Sequence, residues 1–389
     1  MCLQMMTLAS LNLPRCALCN CSRTLHCSSA APSRVLDTSK LRQRVKRCGS
    51  QAPHSFSLQQ LLDMAANRPA LYCLLREELP VRLAHFITSL PVLLPREVRE
   101  QRLGQFLQDY TEMSFKEVEA FPPSVESMES GLEKKWLEGL TRIGIRLGGT
   151  TEMIAEAVLS TSLLRDPVNQ NDLQRDLPII LRQNLSIDAL VSVYRPRWTK
   201  LPSGTPTCIQ PDNELLEDIK CAYEDARYLC EQHYIACPDL NVSKETDSSS
   251  FTSVPAHNYL IFFEIFKNAL RATVEYHGEA CPNLPPVGVK ITKENEMLVV
   301  KVKDHGGGMD VDQVEKASKF FSSTAELDRM SLYQGAHSSP LAGHGFGLGI
   351  ARLYCSYWGG DLLVKSEKGE GTTVTLTWFE NPKLAKEML

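Results

Sequence analysis

Apolar residues recur every three to four positions through residues 55–205, as in Leu58, Leu61 and Leu62, and again in Leu71, Leu74, Leu75 and Leu79. That period marks amphipathic helices. Ser57 is placed to cap the first of them. Further periodic stretches cover about 96–120, 131–160 and 171–193, separated by turn signals such as Phe121-Pro122-Pro123 and Asp166-Pro167. Four long antiparallel helices in a bundle are the economical arrangement. Pro178, inside the last stretch, predicts a kink or a late start.

Beyond Arg195 the pattern changes. Pro196, Pro202, Gly204, Pro206 and Pro211 mark a connector over 196–213. A helix is expected over about 213–234, a Ser/Thr-rich loop over 243–253 and a second helix after Pro255. Val287–Thr292 and Met297–Lys303 read as strands joined by the polar turn Lys293-Glu294-Asn295-Glu296. Glycine-rich loops, a helix near 345–358 and the strands Leu362–Ser366 and Thr372–Phe379 complete the chain. The expected fold class is α + α/β: a four-helix bundle over 50–206, then an α/β sandwich domain over 207–382. No internal repeat is present.

The composition of the 389 residues, 43% apolar and 23% charged, is that of ordinary soluble domains. No apolar run is long enough to span a bilayer, so no membrane insertion is expected. A net charge of −4 argues against nucleic acid as a partner. That total hides an asymmetry. Residues 1–48 carry eight basic residues and one acid, Asp37, a net +7, against −11 for the remainder. A Ser/Thr/Leu-rich, acid-poor basic segment at the start predicts a mitochondrial transit peptide over 1–48 and a matrix location. Six of the 13 cysteines fall there; Cys16 and Cys19 have C-x-x-C spacing without a recognisable second pair of zinc ligands. The other seven read as isolated reduced thiols.

Four clusters carry candidate chemistry. In Glu264-Ile-Phe-Lys267-Asn268-Ala-Leu-Arg271, helical spacing puts Glu264, Asn268 and Arg271 on one stripe with Lys267 beside it. A carboxylate, an amide oxygen and two cations suit a Mg²⁺–phosphate site. Asp304-His-Gly306-Gly-Gly308 ends a strand with an acid able to accept from an exocyclic amine and with glycines that let a planar ligand approach. Gly343-His344-Gly345-Phe346-Gly347-Leu348-Gly349 precedes a helix, as a phosphate-cradling loop does. It is neither a dinucleotide fingerprint nor a Walker loop. Gly369-Glu-Gly371-Thr372 opens the last strand with a hydroxyl that can reach a base edge. Each is weak alone; all four in this order are specific.

The ordered set resembles the nucleotide-binding boxes of the GHKL ATPase/kinase superfamily, and more specifically the mitochondrial 2-oxoacid dehydrogenase kinases. Leu75-Arg-Glu-Glu-Leu-Pro-Val-Arg-Leu-Ala84 and Tyr223-Glu-Asp-Ala-Arg-Tyr-Leu-Cys230 are similar to that family's bundle and first C-terminal helix, and Phe263 to Glu275 is a nearly continuous match. The resemblance runs from about Phe56 to Phe379. It implies an ATP- and Mg²⁺-dependent protein serine kinase that inactivates the E1α subunit of a 2-oxoacid dehydrogenase complex. It also implies a homodimer and a partner lipoyl domain of E2. By resemblance Glu264 is the general base, Asn268 the Mg²⁺ ligand, and Lys267 and Arg271 order the phosphates. Asp304, with Gly306 and Gly308, takes adenine, and Thr372 supports it. Ser323 and Thr324 match the lid contact, and Gly343 through Leu348 wrap the phosphates.

Four positions depart from the family pattern: Leu260, Gly349, Arg146-Leu147-Gly148 and Asn184-Leu-Ser-Ile-Asp188. The last two lie where the family forms a pocket for acidic effectors, and Asn184 and Asp188 stand in place of two of its cations, so weak 2-oxoacid inhibition is expected. The short C-terminal tail, Thr324-Ala-Glu326 and Gln334–Pro340 resemble the branched-chain kinase; the N-terminal motifs favour the pyruvate type, which is the preferred reading. Alternatives are a histidine kinase, a mechanical GHKL ATPase and a pseudokinase binding module. No His precedes an acid as a phosphoacceptor would, few residues follow the last strand, and Glu264, Asn268 and Asp304 are intact.

Overall fold

The computed structural model describes residues 38–125, 130–194, 209–245, 250–279, 281, 283–321 and 345–389. The chain forms two compact units: Met1–His54 with Met64–Arg195, and Ser55–Asp63 with Pro196–Leu389.

The first unit is helical. Helix α1 (Thr38–Gly49) is followed by α2 (Leu58–Ala65), whose residues up to Asp63 belong to the second unit, and by the long α3 (Arg68–Leu93) of the first. After a single turn at Arg96–Arg99 come α4 (Arg102–Glu119), α5 (Ser130–Leu147), α6 (Thr150–Leu159) and α7 (Pro167–Tyr194). The stretch expected as one helix over 131–160 is broken at Gly148-Gly149, because helix is least favourable at glycine. Pro178 neither delays α7 nor breaks it; the helix runs through it, as α3 runs through Pro80. Packing against neighbours outweighs the missing N–H there. Each long helix packs on the next in the cycle α3, α4, α5, α7.

The ends of this unit differ from expectation. Thr38 to Cys48, expected as the end of a leader, are helical, and Leu41, Val45 and Cys48 are buried. Arg44 pairs with Glu119, which also takes Arg76. Five of the eight basic residues counted in the leader therefore belong to a packed helix. The Glu-Leu-Pro-Val-Arg motif also has a local cause. Glu78 and Arg82, both buried, pair along α3; Glu78 accepts from the His54 backbone N–H at 2.8 Å, and Arg82 donates to Ser186 O at 2.8 Å.

Ser57 does cap α2, in a reciprocal box: Gln60 N–H donates to Ser57 Oγ and Ser57 N–H to Gln60 Oε1. This segment belongs to the second unit rather than to the bundle, where it was expected. Leu58 N–H donates to Ala385 O, Phe56 and Glu387 exchange bonds, and Tyr357 Oη donates to Glu387 Oε1.

The second unit holds β1 (Gln210–Glu214), α8 (Leu215–His233), β2 (Leu240–Lys244), β3 (Ser250–Ser253) and α9 (Pro255–His277). Then follow β4 (Val287–Glu294), β5 (Met297–Lys303), α10 (Val311–Ala317), α11 (Gly347–Tyr357), β6 (Asp361–Glu367) and β7 (Gly371–Phe379). The main sheet has the order β2-β4-β5-β7-β6, with β2 parallel to β4 and the other neighbours antiparallel. Register aligns two apolar rows on one face, Val289–Val302–Val374–Val364 and Ile291–Val300–Leu376–Leu362. Helices α9 and α11 cover this sheet. The β4–β5 turn is tighter than the sequence suggests: Asn295 and Glu296 both take positive φ, 49° and 62°, as a two-residue hairpin requires.

Strands β1, β2 and β3 were not anticipated, since the connector and the Ser/Thr-rich loop were expected irregular. The short β1–β3 ribbon is secured by a buried polar network. Asn213 and Asn258 each donate to Asp218 Oδ2 and Ser253 Oγ. Burial pushes the Asp218 carboxyl up to about 6.

Candidate nucleotide site

Helix α9 begins at Pro255, whose fixed φ suits a first turn, and ends at Gly278 with φ +86°. Its apolar side, including Phe262, Phe266 and Leu270, is fully buried, which turns Glu264 and Asn268 outward. Glu264 and Lys267 are ion-paired at 2.7 Å, and Lys267 Nζ also lies 4.9 Å from the Phe263 ring centroid. Arg271 does not point free along the stripe. Its Nε donates to Glu275 Oε1 at 2.7 Å, an atom that also accepts from Tyr234 Oη at 2.9 Å.

The four clusters converge on this helix. A Cβ on Gly347, first residue of α11, would sit 2.5 Å from Glu264 Oε2 and 3.8 Å from Asn268 Nδ2. Only glycine lets the loop backbone come this close to the carboxylate and the amide. Gly306 packs against Ala272, where a Cβ would meet the Ala272 Cβ and O at 2.8 Å, one turn beyond Asn268. The Asp304 strand end therefore lies along the same helix.

Asp304 is buried and tied to the fourth cluster. Its Oδ1 accepts from Gly306 N–H at 2.9 Å and Thr372 N–H at 3.0 Å, and its own N–H donates to Thr372 O. Among the described residues Oδ2 accepts no bond. Burial pushes the Asp304 carboxyl up, and the two backbone donors oppose that rise. Gly308, at φ +64°, packs onto the Glu367 carbonyl, and Gly371, at φ +102°, onto the Asp304 carbonyl; both contacts exclude a Cβ. Thr372 Oγ1 lies 2.9 Å from Ser366 Oγ, which accepts from Met309 N–H.

Gly345 has φ +76°, and Phe346 packs its ring against Phe320 and Phe321. Leu348 lies in the first turn of α11. Gly349, where the family pattern has proline, faces the Phe320 ring, and a Cβ there would meet it at 2.8 Å. Ser323, Thr324, Gly343 and His344 lie outside the described residues. The stretch after Gly308 is ordered at its start. It contains α10, begun by an Asp310–Gln313 capping box; a D-x-x-Q spacing carries that signal. Ala272, Tyr234 and Ser366 carry no periodicity in the sequence that marks them as part of the site, whereas Glu275 sits at helical spacing from Arg271.

His257 is no phosphoacceptor in this geometry. It is buried, its Nδ1 accepts from Trp358 Nε1 at 3.2 Å, and burial holds its pKa down at about 3. Among the described residues no group of three His, Cys, Asp or Glu side chains is placed to hold a metal. An ion here needs oxygen ligands from a bound phosphate as well as the protein. The exposed Asn268 amide beside Glu264, at the loop cradle left by Gly347, fits Mg²⁺, which takes few protein ligands.

A mixed sheet backed by helices, with a carboxylate–amide pair on one helix and glycine loops folded over it, defines a nucleotide-binding domain of the GHKL class. Residues 254–382 match the family model described as histidine kinase-, DNA gyrase B- and HSP90-like ATPase. Over most of the chain it is similar to the mitochondrial pyruvate dehydrogenase (acetyl-transferring) kinase of Drosophila melanogaster. That match is 32% identical and covers 82% of this chain and 80% of the relative. Isozyme 1 of the rat kinase is 31% identical, covering 93% and 86%. The probable Caenorhabditis elegans kinase is 31% identical, covering 87% and 85%. The chain belongs to the pyruvate dehydrogenase kinase family.

Proposed function

We propose that this protein transfers the γ-phosphoryl group of Mg·ATP to a serine of the E1α subunit of the pyruvate dehydrogenase complex and thereby switches that complex off. The observation that carries the reading is the approach of Gly347 to both Glu264 and Asn268, which joins a phosphate loop to a candidate base and a metal ligand. Phosphoryl transfer depends on positioning and charge neutralisation more than on covalent help from the protein.

Glu264 accepts the proton of the substrate hydroxyl as that oxygen attacks phosphorus. Lys267 holds the carboxylate in place through their ion pair. Asn268 offers the amide oxygen for Mg²⁺, which when bound neutralises charge on the phosphates. Arg271 is steadied by Glu275 toward the same phosphates. Asp304 Oδ2 accepts from the adenine amino group, while Thr372 and Gly306 fix that carboxylate through Oδ1. Backbone N–H groups of Gly345 to Leu348, at the start of α11, bind the phosphates, and the family resemblance adds Gly343, His344, Ser323 and Thr324 as nucleotide contacts.

The cyclic order of contacts among α3, α4, α5 and α7 supports a regulatory four-helix bundle. The relatives named above are mitochondrial proteins. We read this chain as a matrix enzyme whose leader ends before the packed helix at Thr38. The uncovered face of the sheet, with Leu363 exposed on edge strand β6, supports a homodimer through the nucleotide domain. A lipoyl domain of E2 is the expected anchor on the complex.

The test is ³²P transfer from ATP to purified pyruvate and branched-chain E1 components in parallel. The reading predicts labelling of pyruvate E1α and little of the other. Preferential labelling of the branched-chain component would move the protein to that substrate.

A further inference from the structure

We propose that the cleft between α1 and α4 binds a small zwitterion with an aliphatic body. Both helices pack on α3, and the Arg44–Glu119 pair joins them. Residues of all three helices line a cleft of about 480 Å³. Small-molecule sites occupy roughly 300–1,000 Å³, so the space suits a ligand of that kind. Every lining residue belongs to the helical unit, and none is among the nucleotide-site residues.

The floor is apolar. Leu41 and Val45 of α1 and Ile87 of α3 line the cleft and are buried. Leu41 and Val45 belong to the stripe that packs α1 against the unit, so the floor is set by folding and is in place before any ligand arrives. An aliphatic chain laid on it leaves water as a core side chain does.

The polar groups above the floor are sorted by helix. Arg42 and Lys46, one turn apart on α1, line the cleft and offer only donors. Both are exposed, and among the described residues neither forms an ion pair. Arg44, between them in sequence, is already taken by Glu119. The other helices offer acceptors. Glu112 of α4 takes Gln108 Nε2 on Oε1 at 3.0 Å, and among the described residues its Oε2 accepts no bond. Thr88 of α3 donates its hydroxyl proton to Ala84 O at 2.9 Å, which leaves the oxygen as an acceptor toward the cleft.

This arrangement selects by charge. A fatty acid satisfies Arg42 and Lys46 but brings nothing to Glu112 except a second negative charge. An alkylammonium meets the reverse difficulty, and a phosphate dianion is opposed by the same acid. A zwitterion places its carboxylate on the α1 cations and its ammonium on Glu112 and Thr88. In the sequence Arg42 and Lys46 are two charges of a basic segment; the fold gives them one shared cleft.

The test is calorimetric titration of the full chain. Octanoylcarnitine is an acyl zwitterion and L-leucine a free amino acid; octanoate and octyltrimethylammonium carry one charge each. At least one zwitterion is expected to bind at one site per chain, about tenfold or more tighter than either singly charged amphiphile. The tighter of the two zwitterions identifies the source. The double variant Arg42→Ala, Lys46→Ala is expected to weaken that binding about tenfold or more. Glu112→Gln is expected to weaken the zwitterion and strengthen octanoate, opposite signs that a loosened fold would not produce. Thermal midpoints without ligand check that the variants fold. Absence of saturable binding by both zwitterions, equal affinity for octanoate, or binding unaffected by the variants overturns the proposal.

Discussion

At the scale of single residues, the site depends on which oxygens are already occupied. Asp304 uses one carboxylate oxygen to hold the Gly306 and Thr372 N–H groups, and among the described residues the other accepts no bond. Asp304→Asn tests this division of labour. With the amide oxygen in the Oδ1 position, both structural bonds survive. The other position becomes a donor and opposes the adenine amine. An unmet donor of this kind costs about 1–3 kcal/mol, so ATP affinity should fall roughly tenfold to a hundredfold with the thermal midpoint little changed. The new donor matches the guanine carbonyl, so GTP should lose less or gain. Equal loss of both nucleotides in competition binding would remove Asp304 from base recognition.

At the scale of elements, the helices of the first unit place the family departures in contact with specific neighbours. Asn184 on α7 accepts from Thr150 Oγ1 at 3.1 Å, and Arg146 at the end of α5 is paired with Glu117 of α4. Asp188 adds an acid one turn beyond Asn184. A carboxylate effector here meets one cation already neutralised and no other among the quoted positions. Purified enzyme should therefore keep its kinase rate in millimolar pyruvate or a halogenated acetate. Inhibition at the levels usual for the family would contradict this. The same helices show what sequence could and could not carry. The long periodic stretches became α3, α4, α5 and α7 because an apolar stripe needs only local spacing to be seen. Strands β1, β2 and β3 were invisible because their pairing is non-local: Gln210–Glu214 becomes a strand only against Ser250–Ser253. The helix over Thr38–Gly49 was invisible for a related reason. Basic residues on one side of α1 mask the Leu41–Val45–Cys48 stripe that packs on the other.

At the scale of the whole molecule, the four clusters were legible in order and spacing, and the fold brings their described members onto one helix. Pairing was not legible. Glu264 with Lys267 and Arg271 with Glu275 follow from helical spacing, but Tyr234 with Glu275 requires the return of α8, and Asp304 with Thr372 the β-sheet register. The chain thus holds a helical unit and a GHKL nucleotide unit. The most direct measurement is single-turnover phosphoryl transfer to pyruvate E1α by the wild type and Glu264→Gln, with ATP affinity measured on both. The account predicts nearly unchanged ATP affinity and a loss of transfer of about a hundredfold or more, the usual contribution of a general base. Transfer at the wild-type rate by Glu264→Gln, or none by the wild type, would contradict it.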